Sequence, residues 1–197
     1  AITESITKGR LDINQFASMQ WGIDRIGQVG TLAPSGDLFC KKGLGVSLAG
    51  VPLFWLASIL GLAGAVHAAL LTNAILTAVT GSILVSCLTA LGFSRRTSLT
   101  CALIFGLATL AWPYARLFFA EPIAAMGLLI AFYGCVLFHR KPEPRSASLC
   151  GLGMGITIAG FSAGIIGCLI LLGGLGYTLL KRSMQRRERL NALGGWI

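Results

Sequence analysis

The chain has 197 residues, 55% of them hydrophobic and 12% charged, with a net charge of +9. An ordinary soluble domain carries about a quarter charged residues, so a soluble fold is excluded. A membrane barrel is excluded too, because the apolar runs are long and continuous where barrel strands need about ten alternating residues. What remains is an all-α fold, a polytopic transmembrane helical bundle with an N-terminal extramembrane, interfacial loop.

Residues 1–43 are polar to mixed. Ala1 to Lys8 reads as the end of a helix closed by Gly9. Trp21, Ile23 and Ile26 suggest a segment lying in the membrane interface, where aromatic rings settle. Thr31 to Asp37, with Pro34 and Gly36, reads as a turn. Gly43–Gly64 is the first apolar run and His67–Phe93 the second. Thr97–Trp112 is a shorter third run, ended by Pro113, and Glu121–Phe138 is the fourth. Leu149–Leu180 exceeds one crossing, which needs about 20 residues. It is expected to form two crossings with a break near Phe161-Ser162-Ala163-Gly164. The division is therefore an extracytoplasmic loop with interfacial helices (1–43), a transmembrane region (44–180) and a basic cytoplasmic segment (181–197). Because the chain begins at Ala1 inside an amphipathic stretch, it reads as a fragment of a longer polytopic protein.

The basic residues gather at the ends of the apolar runs without interleaved aromatics. They point to membrane topology and anionic lipid, and exclude nucleic acid as a partner. Arg95-Arg96, the Arg140–Arg145 loop and the tail from Lys181 all go to the cytoplasm. The Arg116–Glu121 loop then lies outside. The N-terminal region is left open, since Gly43–Phe93 holds two apolar runs and can cross once or twice. The six cysteines show no CxxC pattern and no Cys/His cluster, so neither a disulfide framework nor a zinc site is expected. Glycines at 151, 153 and 155, then 160 and 164, suggest close helix packing.

Glu121 is the one acidic residue between Leu38 and Pro142. A carboxylate deep in hydrocarbon costs on the order of 2.5 kcal/mol or more. It is either the favourable acid of a helix N-terminus beside Pro122, a partner of Arg116 that cancels its charge, or a functional group.

Three segments, taken in order, resemble one family. Gly36-Asp37-Leu38-Phe39-Cys40-Lys41-Lys42-Gly43, continuing through Ser47-Leu48 to Pro52, is similar to a lysine loop that opens a helix in C-type (GT-C) polytopic membrane glycosyltransferases. These are the enzymes related to protein O-mannosyltransferases and lipid A aminoarabinose transferases. Lys8-Gly9-Arg10-Leu11-Asp12-Ile13 looks like the stretch after their first acidic motif. Tyr114-Ala115-Arg116-Leu117-Phe118-Phe119-Ala120-Glu121-Pro122 is similar to their second extracytoplasmic loop. One departure is Leu44, where the family has proline. The resemblance implies a bacterial inner-membrane enzyme that moves a sugar from a polyprenyl-phosphate-linked donor to an acceptor at the extracytoplasmic face. It implies a main catalytic acid upstream of Ala1. It also places the N-terminal loop outside, which allows Gly43–Phe93 one crossing.

Such a reaction needs cations at the membrane face to hold the donor phosphate, for which Lys41, Lys42 and Arg116 are the candidates. It needs a carboxylate to take the acceptor's proton, for which Glu121 and then Asp24 are the candidates. No cofactor is assigned, and neither a divalent metal nor the acceptor is specified by the residues. Two other functions fit the composition. In a transporter or flippase, Arg116 and Glu121 would line a path. In a structural membrane protein they would be anchors.

Overall fold

The computed structural model describes residues 2–17, 30–40, 43–61 and 64–194. Asp24, Lys41, Lys42 and the Trp21–Ile26 segment lie outside the described residues. The elements are α1 (Ile2–Thr7), α2 (Asn14–Ala17), β1 (Gly30–Leu32), β2 (Leu38–Cys40), α3 (Gly45–Ile59), α4 (Ala65–Ala90), α5 (Arg95–Ala108), α6 (Ala111–Ala115), α7 (Glu121–Arg140), α8 (Pro144–Gly160) and α9 (Ile165–Gly194). Among the described residues, three helices are long and apolar enough to cross a membrane: Ala65–Ala90, Glu121–Arg140 and Ser162–Lys181. The molecule is a polytopic helical membrane protein, as its composition predicts.

Local chemistry sets the breaks. Gly61 and Gly92 sit at φ +65° and +99°, left-handed conformations that glycine adopts without a Cβ penalty, and they close α3 and α4. Ser94 opens α5 by accepting the Thr97 amide at 3.2 Å, which satisfies one of the otherwise unpaired first-turn donors. Pro144 fits the first turn of α8, where its missing N–H costs nothing. The long final apolar run breaks where expected: α8 stops at Phe161, Ser162–Gly164 forms one 3₁₀ turn, and α9 begins. The third run ends earlier than expected. Helix α5 stops at Ala108, and Pro113 is carried inside the short α6 rather than terminating a longer helix.

The tightest packing is between α7 and α8. Gly127, Ala131 and Gly134 face Cys150, Gly153 and Thr157, and Gly160 meets Ile123 and Ala124. A Cβ on Gly134 would lie 2.6 Å from the Cys150 amide nitrogen, and one on Gly127 would lie 2.7 Å from that of Thr157. With no hydrophobic drive between helices in lipid, such backbone approach supplies the association through dispersion contacts. The glycines predicted to pack therefore divide. Gly153, Gly160 and Gly164 are in close contact, whereas Gly151 and Gly155 face open space.

The contacts sort the helices between two ends. At one end lie Val46, Leu76, Ala120 and Ile123, which form a single buried cluster, together with Gly160. From there α4 runs away to Cys87 and α5 returns, with Thr89 meeting Ser98 near their turn. Helix α7 runs from Glu121 to Arg140 and α8 returns. Helix α9 descends again beside them, Gly167 against Leu128 and Cys168 inside the Ala131–Cys150 cluster. Arg95, Arg96, the Arg140–Arg145 loop and Lys181 thus share the opposite end.

Helix α3 starts at the Glu121 end, where a Cβ on Gly45 would fall 2.8 Å from the Ala159 carbonyl oxygen. It ends at a turn that includes Gly61 and pairs with the first half of α4, Gly50 lying against Thr72 and Phe118. At 1.5 Å per residue it is about 22 Å long, short of the ~30 Å hydrocarbon core. Only α4 continues to the basic end, so Gly43–Phe93 makes one traverse of the bundle. Substituting Gly134→Val should destabilise the protein by about 1–3 kcal/mol through overpacking, while Gly155→Val should change stability by less than about 0.5 kcal/mol. Thermal unfolding of the two purified variants in detergent, compared with the parent, checks this.

Candidate functional site at the Glu121 end

Glu121 is the first residue of α7, preceded by Ala120 and followed by buried Pro122. It makes no side-chain cap, since the residue flanking the helix is Ala120. Its Oε2 is buried and has no hydrogen-bond partner. Arg116 closes α6 five residues earlier and is exposed. Neither residue joins an ion pair among the described residues, so the mutual-neutralisation reading does not describe this geometry. Glu121 instead borders a cavity of about 310 Å³ walled by Thr77, Thr80, Phe105, Thr109 and Tyr114. The threonine hydroxyls bond carbonyls one turn back, Thr77 to Asn73, Thr80 to Leu76 and Thr109 to Phe105, at 2.6–2.8 Å. The Glu121 carboxylate is thus the charged group of an otherwise apolar wall, beside the positive end of the α7 dipole.

The loop that carries Arg116 to Glu121 is irregular backbone, and its carbonyls need donors. Asn73, fully buried in α4, supplies them: Nδ2 donates to the Leu117 oxygen at 2.5 Å and the Phe119 oxygen at 2.9 Å. The Phe119 ring stacks edge-on against Tyr114 with centroids 5.3 Å apart. Phe118 presses on Gly50 of α3, where a Cβ would lie 3.0 Å from the ring. Asn73 Oδ1 and the neighbouring Thr72 Oγ1 are buried without partners, each an expense of about 1–3 kcal/mol. Sequence reasoning missed Asn73. The available signal was that it is the sole amide in the His67–Phe93 run.

The N-terminal segment sits at the same end, with α1 packed on α3. The Gly-Arg-Leu-Asp-Ile stretch resolves into a fork: Arg10 Nε and Nη2 donate to the two Asp12 oxygens at 2.9 and 2.6 Å. Asn14 links this stretch to the β1–β2 hairpin, donating to Asp37 and accepting the Leu38 amide, both at 2.8 Å. The turn expected over Thr31–Asp37 is the shorter Ala33–Asp37 tip of that hairpin, because Thr31 and Leu32 pair with Phe39 and Leu38 in two antiparallel strands that composition did not announce. In the sequence, Lys41 and Lys42 fall between β2 and α3. Of the sequence-derived candidates, Arg116 and Glu121 thus share one loop. Gly43, next to the lysine pair, lies against Ala159 and Gly160, which abuts the start of α7. Among the described residues no three His, Cys, Asp or Glu side chains cluster as a metal site would.

Hydrogen bonding from Arg10 holds Asp12 below the ordinary value of 3.8, and bonds from Asn14 and Ser35 do the same for Asp37. A carboxylate whose folded pKa is depressed stabilises the fold above its unfolded pKa and loses that contribution as pH falls through the folded value. The hairpin should therefore keep its protease protection down to about pH 4 and lose it progressively below. Asn14→Ala should lose that protection even at neutral pH. Limited proteolysis with an acid-active protease across this range, read by cleavage within residues 30–40, checks both outcomes.

A family model described as dolichyl-phosphate-mannose-protein mannosyltransferase matches residues 3–187. No curated protein and no solved structure matches significantly. With nearly its whole length covered, the chain belongs to the dolichyl-phosphate-mannose-protein mannosyltransferase family, one of the C-type membrane glycosyltransferases.

Proposed function

We propose that the protein transfers a sugar from a polyprenyl-phosphate donor to an acceptor at the extracytoplasmic face of a bacterial membrane. Membership of a membrane mannosyltransferase family supports sugar transfer. The observation that carries the site is the shared end. The start of α3, just after Lys41-Lys42, the Arg116 loop and the Glu121 carboxylate lie together, opposite Arg95, Arg96, Arg140 and Lys181. The positive-inside rule assigns that opposite end to the cytoplasm.

In this reading the donor's isoprenoid tail stays in the hydrocarbon and its phosphate sits at the outer boundary. Arg116, Lys41 and Lys42 neutralise the phosphate as the bond between it and the sugar's anomeric carbon breaks. Arg116 suits this role through its forked donors. The acceptor oxygen forms the new bond to that carbon, and its proton passes to a carboxylate. Glu121 is the proposed local base or orienting group, with Asp24 as a further candidate. The leaving polyprenyl phosphate keeps the electron pair. A carboxylate in this position contributes on the order of 10²–10⁴-fold.

Glu121→Gln in the full-length protein should lower transfer of labelled sugar by about 10²-fold or more. Arg116→Ala should raise the donor KM as well as slow turnover. Near-normal transfer by both variants, at parental expression, would overturn the proposal. The face is tested separately. Single cysteines replacing Ser35 and Tyr114 should react with an impermeant maleimide from outside the cell, and one replacing Arg96 should react only after the membrane is opened. Labelling of all three from one side would refute the placement.

A further inference from the structure

Among the described residues, the side-chain hydrogen bonds to the Arg116–Glu121 loop from another helix come from one amide that the sequence motifs do not include. We infer that Asn73 is a positioning residue, whose side-chain amide fixes the backbone between Arg116 and Glu121 and so sets the placing of both for sugar transfer. The inference rests on the proposed function for its catalytic consequence, and on geometry alone for the placing itself.

Three observations converge. First, Asn73 is fully buried, and Nδ2 reaches two alternate carbonyls of one short loop, Leu117 at 2.5 Å and Phe119 at 2.9 Å, with Tyr114 at 3.5 Å. Two carbonyls bound to one planar amide define the loop's distance from α4 and its rotation. Second, only the donor half is used, since Oδ1 has no partner and Thr72 Oγ1 beside it has none either. The loop carbonyls are therefore what orients the amide, since among the described residues its side-chain hydrogen bonds all run from Nδ2. The arrangement aims both N–H groups at the irregular backbone, where the Leu117 carbonyl also accepts the Phe119 amide at 3.0 Å. Third, the opposite side of the loop is pinned by Phe118 against Gly50 of α3, and the Phe119 ring by Tyr114. Asn73 is therefore the polar member of a clamp whose other members are aromatic contacts. From the clamped residues, the chain extends one position back to Arg116 and two forward to Glu121.

An aspartate here could not replace the amide, because an ionised carboxylate only accepts hydrogen bonds. A serine could not either. Within a helix its hydroxyl returns to the carbonyl four residues back, as Thr77 and Thr80 do in this same helix.

The test uses the full-length protein with Asn73→Ser and Asn73→Leu. Hydrogen–deuterium exchange, read by mass spectrometry, should rise at least tenfold for amides in residues 116–122. Exchange across the α7–α8 packing, residues 127–157, should stay at the parental level. Turnover per folded molecule should fall at least tenfold. The double variant Asn73→Ser/Glu121→Gln should be slower than Glu121→Gln by a smaller factor than Asn73→Ser alone costs, because part of the Asn73 effect passes through the Glu121 carboxylate and the rest through Arg116. Unchanged exchange at 116–122 in whichever variant folds would overturn the inference, whatever the activity does. Raised exchange with unchanged turnover would overturn the positioning role while leaving the contact. Full activity in Glu121→Gln and Arg116→Ala, with raised exchange in Asn73→Ser, would reject the proposed function instead.

Discussion

Irregular backbone at the edge of a bilayer must find its hydrogen bonds inside the protein, and this requirement organises the Glu121 end. The segment from Leu117 to Ala120 belongs to no helix. Its carbonyls meet the Asn73 amide, and its aromatic side chains meet Gly50 and Tyr114. Without those contacts a loop between two apolar helices would have several conformations, and Arg116 and Glu121 would have no fixed relation. The acid is thus positioned by polar chemistry contributed from a helix that carries no candidate reacting group.

A second constraint comes from the glycine-rich packing of α7 on α8. Gly127, Gly134, Gly153 and Gly160 let two backbones approach so closely that any side chain would collide. This close contact fixes the level of α7's first turn against α8's last, and the Thr157 hydroxyl, bonded within α8 to the Gly153 carbonyl at 2.9 Å, also lies 3.4 Å from the Ala124 carbonyl of α7. Since Gly43 and Gly45 pack on Ala159 and Gly160, the same contact brings the start of α3 to the Glu121 end. Three segments separated by some eighty residues and then forty are joined through backbone contact at small residues, and among the described residues no salt bridge joins them.

Much of this was legible because apolar length and charge are written directly into the residue order. The helical spans, the break at Phe161–Gly164 and the shared end of Arg95, Arg140 and Lys181 follow from hydropathy and positive charge. The closing of α1 by Gly9 follows from turn chemistry. Less was legible where meaning depends on a distant partner. Gly151 and Gly153 are indistinguishable in the chain, yet one faces open space and the other presses on Ala131. Asn73 reads as a polar interruption in an apolar run until the loop forty-odd residues later is folded against it. The β1–β2 hairpin escaped notice because its strands are three residues each, too short for an alternating pattern to register.

The helix α3 shows how the two kinds of information combine. Its residues are apolar enough to suggest a crossing, and charge at Lys41 and Lys42 cannot say which way it runs. Its length falls short of the hydrocarbon core, and its contacts with Thr72 and Phe118 keep it beside the first half of α4. Helix α4 alone then carries the chain from the Glu121 end to the basic end. One traverse, rather than two, places the Arg10–Asp12 fork and the hairpin at the same end as Arg116 and Glu121. In the proposed reaction, a phosphate with an apolar tail would meet Arg116 at that end. An even number of traverses would have put the N-terminal segment among the arginines of the other end, away from Arg116 and Glu121.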